Sequence, residues 1–149
     1  MERGPGRDET RRPAVARSTP LTLVDTSVWI EVFRKGRPLN LESLVAFDDI
    51  VTCLPVVQEV LQGFREERAF RIARESMRSL PLVESPLTID VFDDAVDLYR
   101  RARRSGRTIR SSTDCLIAAC AIRHDLEVLH RDRDFEALAT ISPLRARNV

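Results

Sequence analysis

The sequence of 149 residues lacks any apolar run long enough to cross a lipid bilayer, which takes about 20 residues. The arginines near the N terminus are not followed by a hydrophobic segment, so we expect no secretory signal. Net charge is also nearly missing, because 24 basic residues oppose 23 acidic ones. A chain this close to neutral has no strong overall field to draw it onto nucleic acid.

Lysine is scarce as well: Lys35 is the only one, and every other basic residue is arginine. Genome base composition explains this preference most simply, although arginine also suits bidentate phosphate contacts. The three cysteines, Cys53, Cys115 and Cys120, all lie in apolar runs. Such an odd, sparse set argues against a disulfide framework and for a reducing cytoplasm. Zinc is not favoured, because the cysteine spacing does not fit a knuckle and the two histidines do not share the cysteines' helical face.

Residues 1–20 are rich in arginine, glycine and proline, and they show no apolar periodicity. They predict a disordered tail, or sequence upstream of the true start codon. Residues 21–149 predict one domain. The predicted strands are Leu21–Val24, Ile50–Leu54, Leu80–Val83, Leu126–Leu129 and an edge strand near Leu144. The predicted helices are Ser27–Lys35, Leu41–Phe47, Pro55–Gly63, Glu66–Ser79, Val91–Arg104, one opened by Asp114, and Phe135–Ala139. This alternation predicts a largely parallel sheet with helices on both faces.

Four acidic residues lie where a predicted strand ends and a helix begins: Asp25, Glu59, Asp114 and Asp132. In an open α/β sheet, ligands bind at the carboxyl ends of the strands. A pair of carboxylates about 4 Å apart there repels by on the order of 4 kcal/mol at an effective dielectric near 20. The acids are therefore either partly protonated or held together by a divalent cation, and the cation is favoured.

Each acid taken alone has an ordinary explanation. Asp25 and Asp114 suit the positive end of the following helix, worth about 0.3–1 kcal/mol each. Glu59 fits an exposed helix position, and Asp132 and Asp134 fit caps of the last helix. Together the ordinary explanations weaken, because Asp114 heads the most hydrophobic helix, where a lone carboxylate is costly to desolvate. All-oxygen ligands suit Mg²⁺ or Mn²⁺.

Four segments resemble, in order, the motifs of PIN-domain ribonucleases, and most closely those of the VapC toxins. They are Val24-Asp25-Thr26-Ser27-Val28-Trp29-Ile30, Val57-Gln58-Glu59-Val60-Leu61-Gln62-Gly63, Arg110-Ser111-Ser112-Thr113-Asp114-Cys115-Leu116-Ile117-Ala118-Ala119 and His130-Arg131-Asp132-Arg133-Asp134-Phe135. The resemblance implies a PIN-like three-layer α/β/α sandwich with a mostly parallel central sheet. It also implies an endoribonuclease that depends on Mg²⁺ or Mn²⁺ and cuts tRNA or rRNA in the cytoplasm. The implied partners are a VapB-like antitoxin and a second copy in a homodimer.

The resemblance also implies roles for the acids. Those that match the family's metal-binding and catalytic quartet are Asp25, Glu59, Asp114 and Asp132. Asp25 and Asp114 are expected to be the most direct metal ligands. Asp134 either replaces Asp132 or caps the last helix, and the cap is the expected role.

Other residues are predicted to support the site or to bind partners. Thr26 or Ser27 matches the hydroxyl that orients a carboxylate or a water. Trp29 is expected in core or interface packing. An apolar groove for the antitoxin is predicted from Leu61, Phe64, Phe70 and Met77.

Six arginines surround the end of the long predicted helix and the loop that leads to Asp114: Arg100, Arg101, Arg103, Arg104, Arg107 and Arg110. Two explanations of the cluster are open, an RNA-backbone contact and a solvated face that complements the helix C terminus. RNA contact is favoured for Arg107 and Arg110, since they lead into the site.

Two other enzyme or signalling classes fit poorly. A haloacid-dehalogenase-like phosphatase needs a second aspartate where this chain has Ser27, and a receiver domain needs a lysine late in the chain. The alternative from another class is a non-catalytic PIN-like RNA-binding or scaffold module. The complete acidic set argues against it.

Overall fold

The structure is a computed structural model that describes residues 19–149. The predicted N-terminal tail lies outside the described residues, apart from its last two positions. Within the described part, five strands form one sheet in the order β3-β2-β1-β4-β5, and every pairing is parallel. The strands are β1 (Thr22–Val24), β2 (Ile50–Cys53), β3 (Leu82–Val83), β4 (Glu127–His130) and β5 (Arg145–Asn148). The predicted parallel sheet is confirmed.

Six α-helices connect these strands within residues 19–149. They are α1 (Thr26–Val32), α2 (Leu54–Gln62), α3 (Glu67–Arg78), α4 (Ile89–Arg104), α5 (Ser112–Arg123) and α6 (Arg133–Ile141). Parallel connections are almost always right-handed, which places the helices of the two halves of the sheet on opposite faces. The result is the expected three-layer α/β/α arrangement.

The chain first builds the sheet outward from β1 through β2 to β3, and then returns to the other side of β1 for β4 and β5. Thr22 of β1 is in register with Ile50 on one side and with Glu127 on the other. The strand order therefore reverses at β1. In doubly wound sheets, such a switch point opens a crevice at the carboxyl ends of the strands.

The predicted helix at Leu41–Phe47 is wrong. Two short 3₁₀ turns, Leu41–Ser43 and Phe47–Asp49, occupy this region. Ala46 between them is extended, with φ −65° and ψ 140°, because the chain must turn here to enter β2. Leu41 and Val45 are nonetheless buried, so their apolar spacing reports core contact without a helix.

The core lies on both faces of the central strands. Its fully buried members include Leu23, Val28, Ile117 and Phe135. Trp29 is buried too, and it stacks on Phe33 with ring centroids 5.9 Å apart, which confirms the packing role predicted for it.

The predicted antitoxin groove needs one correction. Met77 is 1% exposed and belongs to the core, so it cannot line a surface groove. Leu61 and Phe64 are partly buried against that core, and Phe70 is also half-buried.

No helix among the described residues is both long and apolar enough to cross a membrane.

Candidate metal centre

Asp25 follows β1 directly and is 3% exposed. Its backbone N–H donates to the carbonyl of Leu129 at 2.9 Å, which ties the turn to β4. Its Oδ2 caps α1 by accepting from the backbone N–H of Ser27 at 3.0 Å. Its Oδ1 is buried and has no hydrogen-bond partner. One oxygen of Asp25 is thus fixed by the helix, and the other is left unpaired.

Ser27 is the hydroxyl that touches this carboxylate. Its Oγ donates to Asp25 Oδ2 at 2.5 Å and accepts from the backbone N–H of Arg131 at 2.9 Å. The serine therefore links the end of β1 to the chain that leaves β4. Thr26, the other candidate hydroxyl, has a buried Oγ1 with no hydrogen-bond partner.

Asp114 lies in the first turn of α5 and is 6% exposed. The helix is buried along most of its length, with Cys115, Ile117 and Ala118 among its core residues. Asp114 Oδ2 is buried without a hydrogen-bond partner. Burial, and then the charges of Asp25 and Asp132, raise the pKa of Asp114 to about 8.

Asp132 caps α6, and the cap predicted for Asp134 is therefore wrong. Asp132 Oδ1 accepts from the backbone N–H of Asp134 at 2.9 Å. The helix begins at Arg133, two residues earlier than predicted, so the capping position moves from Asp134 to Asp132. The ring Nδ1 of the buried His130 accepts from the backbone N–H of Asp132 at 3.2 Å and helps to fix this turn.

Asp134 instead holds the loop before α5. It is 2% exposed, and its Oδ2 accepts from the backbone N–H groups of Arg110 and Ser111 at 2.9 and 3.3 Å. Because Ser111 is the N-cap residue of α5, this carboxylate positions the helix that carries Asp114. Nothing in the local sequence distinguishes this role from capping, since it depends on a contact between distant segments.

Three carboxylates form a compact group of acids. One oxygen from each of Asp114, Asp132 and Asp134 lies within 4.8 Å of the others. Asp25 and Glu59 lie outside that group, but both interact electrostatically with its member Asp132. Burial, and then the charges of Asp25 and Asp132, raise the pKa of Glu59. Burial also raises the pKa of Asp25, against the hydrogen bonds from Ser27.

Arg110 reaches into this group. Its Nη2 lies 3.0 Å from Asp132 Oδ1, and its Nε lies 3.5 Å from Asp134 Oδ1. Among residues 19–149 it is the only cation in an ion pair with any of the site acids. Sequence reasoning favoured RNA contact for this arginine and did not foresee its contacts with the acids.

The other predicted arginines are spread over different surroundings. Arg101 pairs with Asp97 at 2.9 Å and donates to the carbonyl of Ile141 at 3.2 Å, so it braces the helix face. Arg107 is exposed beside a polar cleft of about 490 Å³ next to the acids. The residues that line this cleft are Arg107, Thr108, Arg133, Asp134, Glu136, Ala137 and Thr140.

The donor set fits a hard divalent cation. Asp25 Oδ1, Glu59 Oε1 and Asp114 Oδ2 are buried oxygens without hydrogen-bond partners, and such atoms are costly unless something binds them. Their surroundings raise the pKa of all three groups, as expected where like charges meet without a metal. Oxygen ligands alone favour Mg²⁺ or Mn²⁺ over softer metals.

Comparison with known proteins places this chain in a family. The PIN domain profile matches residues 22–141. The chain is 37% identical to ribonuclease VapC11 of Mycobacterium tuberculosis over 131 residues, which cover 85% of this chain and 97% of VapC11. It is 33% identical to ribonuclease VapC5 of the same organism over 120 residues, which cover 78% of this chain and 86% of VapC5.

Solved structures share the fold. VapBC-5 from Mycobacterium tuberculosis, a member of the VapBC family of toxin–antitoxin systems, aligns with a TM-score of 0.66 and 24% identity, covering 87% of this chain and 100% of that chain. DNA-bound VapBC from Salmonella typhimurium aligns with a TM-score of 0.70 and 15% identity, covering 87% of this chain and 98% of that chain. The chain therefore belongs to the PIN-domain family and, within it, to the VapC ribonucleases.

Proposed function

We propose that this ribonuclease is the toxin of a VapBC-type toxin–antitoxin pair and that it hydrolyses phosphodiester bonds of tRNA or rRNA with a bound Mg²⁺ or Mn²⁺. The observation that carries the proposal is the set of buried, unpaired carboxylate oxygens on Asp25, Glu59 and Asp114, in which the charge of Asp25 acts on both other groups. A bound cation would polarise the scissile phosphate and lower the pKa of an attacking water.

Each acid is proposed to contribute to binding that cation. Asp114 and Asp25 each offer a buried oxygen without a hydrogen-bond partner, and Asp132 lies at the start of α6. Glu59, on α2, is half-buried and completes the quartet from the opposite side of β1. Ser27 orients Asp25 so that Oδ1 faces away from its own helix cap.

Substrate contact is proposed for Arg107. Its exposed guanidinium borders the polar cleft beside Asp134, so a phosphate that lies there would be next to the acids. Arg110 is proposed to contact RNA only in the metal-bound protein, because in this structure its side chain is engaged with Asp132 and Asp134.

The proposed partners are a VapB-like antitoxin and a second copy of the chain, both acting in the cytoplasm. An apolar stripe on α4 supports the homodimer. Its members Ile89, Phe92, Val96 and Tyr99 are 78, 49, 57 and 40% exposed. A contiguous apolar patch on the surface of a domain marks an interaction site.

The test is cleavage of 5′-labelled tRNA and rRNA by the purified protein. Wild-type protein is expected to cut in Mn²⁺ or Mg²⁺, to leave 5′-phosphate and 3′-hydroxyl ends, and to stop in EDTA. Asp114→Asn is expected to fold but not to cut. Asp48→Asn is the matched control, because Asp48 is exposed in the turn before β2, at the other end of the strands. Full cleavage in EDTA would contradict the proposal, and RNA binding without any cleavage would favour the non-catalytic alternative.

A further inference from the structure

The side chain of Arg110 lies against the two acids at the start of α6, Asp132 and Asp134. Its guanidinium approaches Asp132 Oδ1 at 3.0 Å and Asp134 Oδ1 at 3.5 Å. Asp132 Oδ1 also accepts the capping N–H of Asp134 at 2.9 Å, so this one oxygen already receives two donors. A cation that binds the same oxygen has to displace the charged donor, since the cap belongs to the helix backbone.

The loop that carries Arg110 is held separately from its side chain. The backbone N–H groups of Arg110 and Ser111 donate to the other oxygen of Asp134, Oδ2, at 2.9 and 3.3 Å. The side chain of Arg110 is 54% exposed. The guanidinium can therefore leave Asp132 for solvent while the loop keeps its place beside the acids.

The negative charges around Arg110 explain why its guanidinium lies beside the acids. One oxygen from each of Asp114, Asp132 and Asp134 lies within 4.8 Å of the others, and within the described chain no other basic side chain is ion-paired to them. A single positive charge at this point reduces the repulsion among the carboxylates. A metal ion bound at the same acids would repel the guanidinium, so the two cations exclude each other.

We propose that Arg110 is an internal counter-cation of the acidic centre, which neutralises Asp132 and Asp134 in the metal-free protein and competes with the divalent metal for Asp132. The inference rests on the proposed metal site and adds a residue that sets its affinity. The effect of removing Arg110 on metal affinity is therefore opposite to the effect of removing a residue that supports the site. Removal of Arg110 tightens metal binding, whereas removal of a supporting residue weakens it.

The test is calorimetric titration of the metal-free, full-length protein with Mn²⁺ at low ionic strength. Arg110→Gln is expected to bind Mn²⁺ roughly two- to fivefold more tightly than wild type, the range that a partly exposed ion pair allows. Arg110→Met removes the same charge with a different side chain and should agree. Both variants keep the main-chain bond to Asp134. Arg107→Gln removes a nearby charge that is not paired with the acids, and its Mn²⁺ affinity should match wild type.

Thermal unfolding supplies a second readout. In EDTA, Arg110→Gln should unfold at a lower temperature than wild type, because its carboxylates repel without compensation. Saturating Mn²⁺ should close that gap.

Unchanged or weaker Mn²⁺ binding by Arg110→Gln and Arg110→Met would overturn the inference, as would equal tightening in Arg107→Gln. Failure of both Arg110 variants to fold would also overturn it, since it would make the arginine a structural requirement. If wild-type protein bound no Mn²⁺, the metal site of the proposed function would fail, and this inference with it. Equal affinities of wild type and the Arg110 variants would defeat the inference alone.

Discussion

At the scale of single residues, the hydroxyls of Thr26 and Ser27 both matched the predicted positioning role, but they have different surroundings. Ser27 Oγ donates to Asp25 and accepts from the backbone of Arg131, whereas Thr26 Oγ1 is buried with no partner. Groups that hydrogen-bond a metal ligand fix its orientation, and their loss typically costs about 10–100-fold in metal affinity or activity. Ser27 therefore fits the positioning role, and Thr26 does not show the contact that this role needs.

We predict that Ser27→Ala lowers Mn²⁺ affinity and cleavage rate by about 10–100-fold. Asp25 would keep the backbone N–H of residue 27 but would lose the hydroxyl donor, and the N–H of Arg131 would lose its acceptor. Thr26→Val, which is nearly isosteric, should change both quantities little. Calorimetry and initial rates measure this pair of variants. Equal losses in both would mean that the hydroxyl of Ser27 has no special part.

Asp114 makes the stability of the metal-free protein depend on pH. Its pKa is about 8 in the fold, against 3.8 for the free carboxyl, because of burial and the charges of Asp25 and Asp132. A carboxyl whose pKa is raised by folding stabilises the protein below the unfolded pKa, and that contribution is lost as pH rises through the folded pKa. Burial also raises the pKa of Asp25 and Glu59, so they act with the same sign.

We predict that in EDTA the unfolding temperature of wild-type protein falls between about pH 5 and about pH 8. Asp114→Asn removes the main titrating group and should flatten this fall. Manganese affinity should rise over the same interval, because protons must leave before the metal binds. Differential scanning calorimetry at a series of pH values measures the effect. Parallel curves for wild type and Asp114→Asn would show that Asp114 does not titrate in this interval.

The site was only partly predictable at this scale. Asp25 and Asp132 could be identified because each follows an apolar strand, and in a parallel sheet such carboxylates lie at the carboxyl edge. The junctions predicted for Glu59 and Asp114 are wrong, since Glu59 lies within α2 and Asp114 lies on α5, which follows the helix α4. The roles of Asp132 and Asp134 could not be identified, because they depend on where α6 begins and on what the loop of Arg110 contacts. The backbone contact between Arg110 and Asp134 also places the side chain of Arg110 beside the acids.

At the scale of elements, α5 carries a site residue, whereas α4 exposes an apolar surface. α5 is buried along most of its length and presents Asp114 from its first turn. α4 packs on α5, with Val91, Ala95, Leu98 and Ala102 buried, and leaves its apolar stripe outward. A helix that is apolar on two faces has one face that its own domain does not cover.

We predict that Val96→Glu converts a homodimer into a monomer, because it places a charge in the middle of that stripe. Val96 is 57% exposed, so the monomer should lose little stability from the change. Ile72→Glu is the matched control, since Ile72 is 54% exposed on α3, away from the stripe. Size-exclusion chromatography with light scattering distinguishes the states. A dimeric Val96→Glu protein would place the self-contact elsewhere.

Apolar periodicity predicted the strands and the long helices, with their ends shifted by a few residues. It failed at 41–49, where Leu41 and Val45 have helical spacing, but Leu41 begins a short 3₁₀ turn and Val45 lies between that turn and the next. A four-residue spacing of buried side chains arises in either case, and the extended Ala46 that separates the turns leaves no mark in the sequence.

At the scale of the whole molecule, charge is balanced in number but not in position. The chain carries a net charge of +1, yet Asp114, Asp132 and Asp134 bring one carboxylate oxygen each within 4.8 Å of the others, with Arg110 as the one cation ion-paired to them among residues 19–149. Reversal of the strand order at β1 brings together acids from the first and last parts of the described chain. The fold therefore gathers carboxylates into one centre of a nearly neutral protein, and the proposed function requires a cation there.

Anomalous diffraction from crystals soaked in Mn²⁺ tests this requirement most directly. The expected result is an anomalous peak about 2.0–2.3 Å from a carboxylate oxygen of Asp114 and within reach of Asp25 or Asp132, with Arg110 turned away from Asp132. A map at saturating Mn²⁺ with no peak among these acids, and with Arg110 still paired to Asp132, would contradict the metal centre on which the account depends.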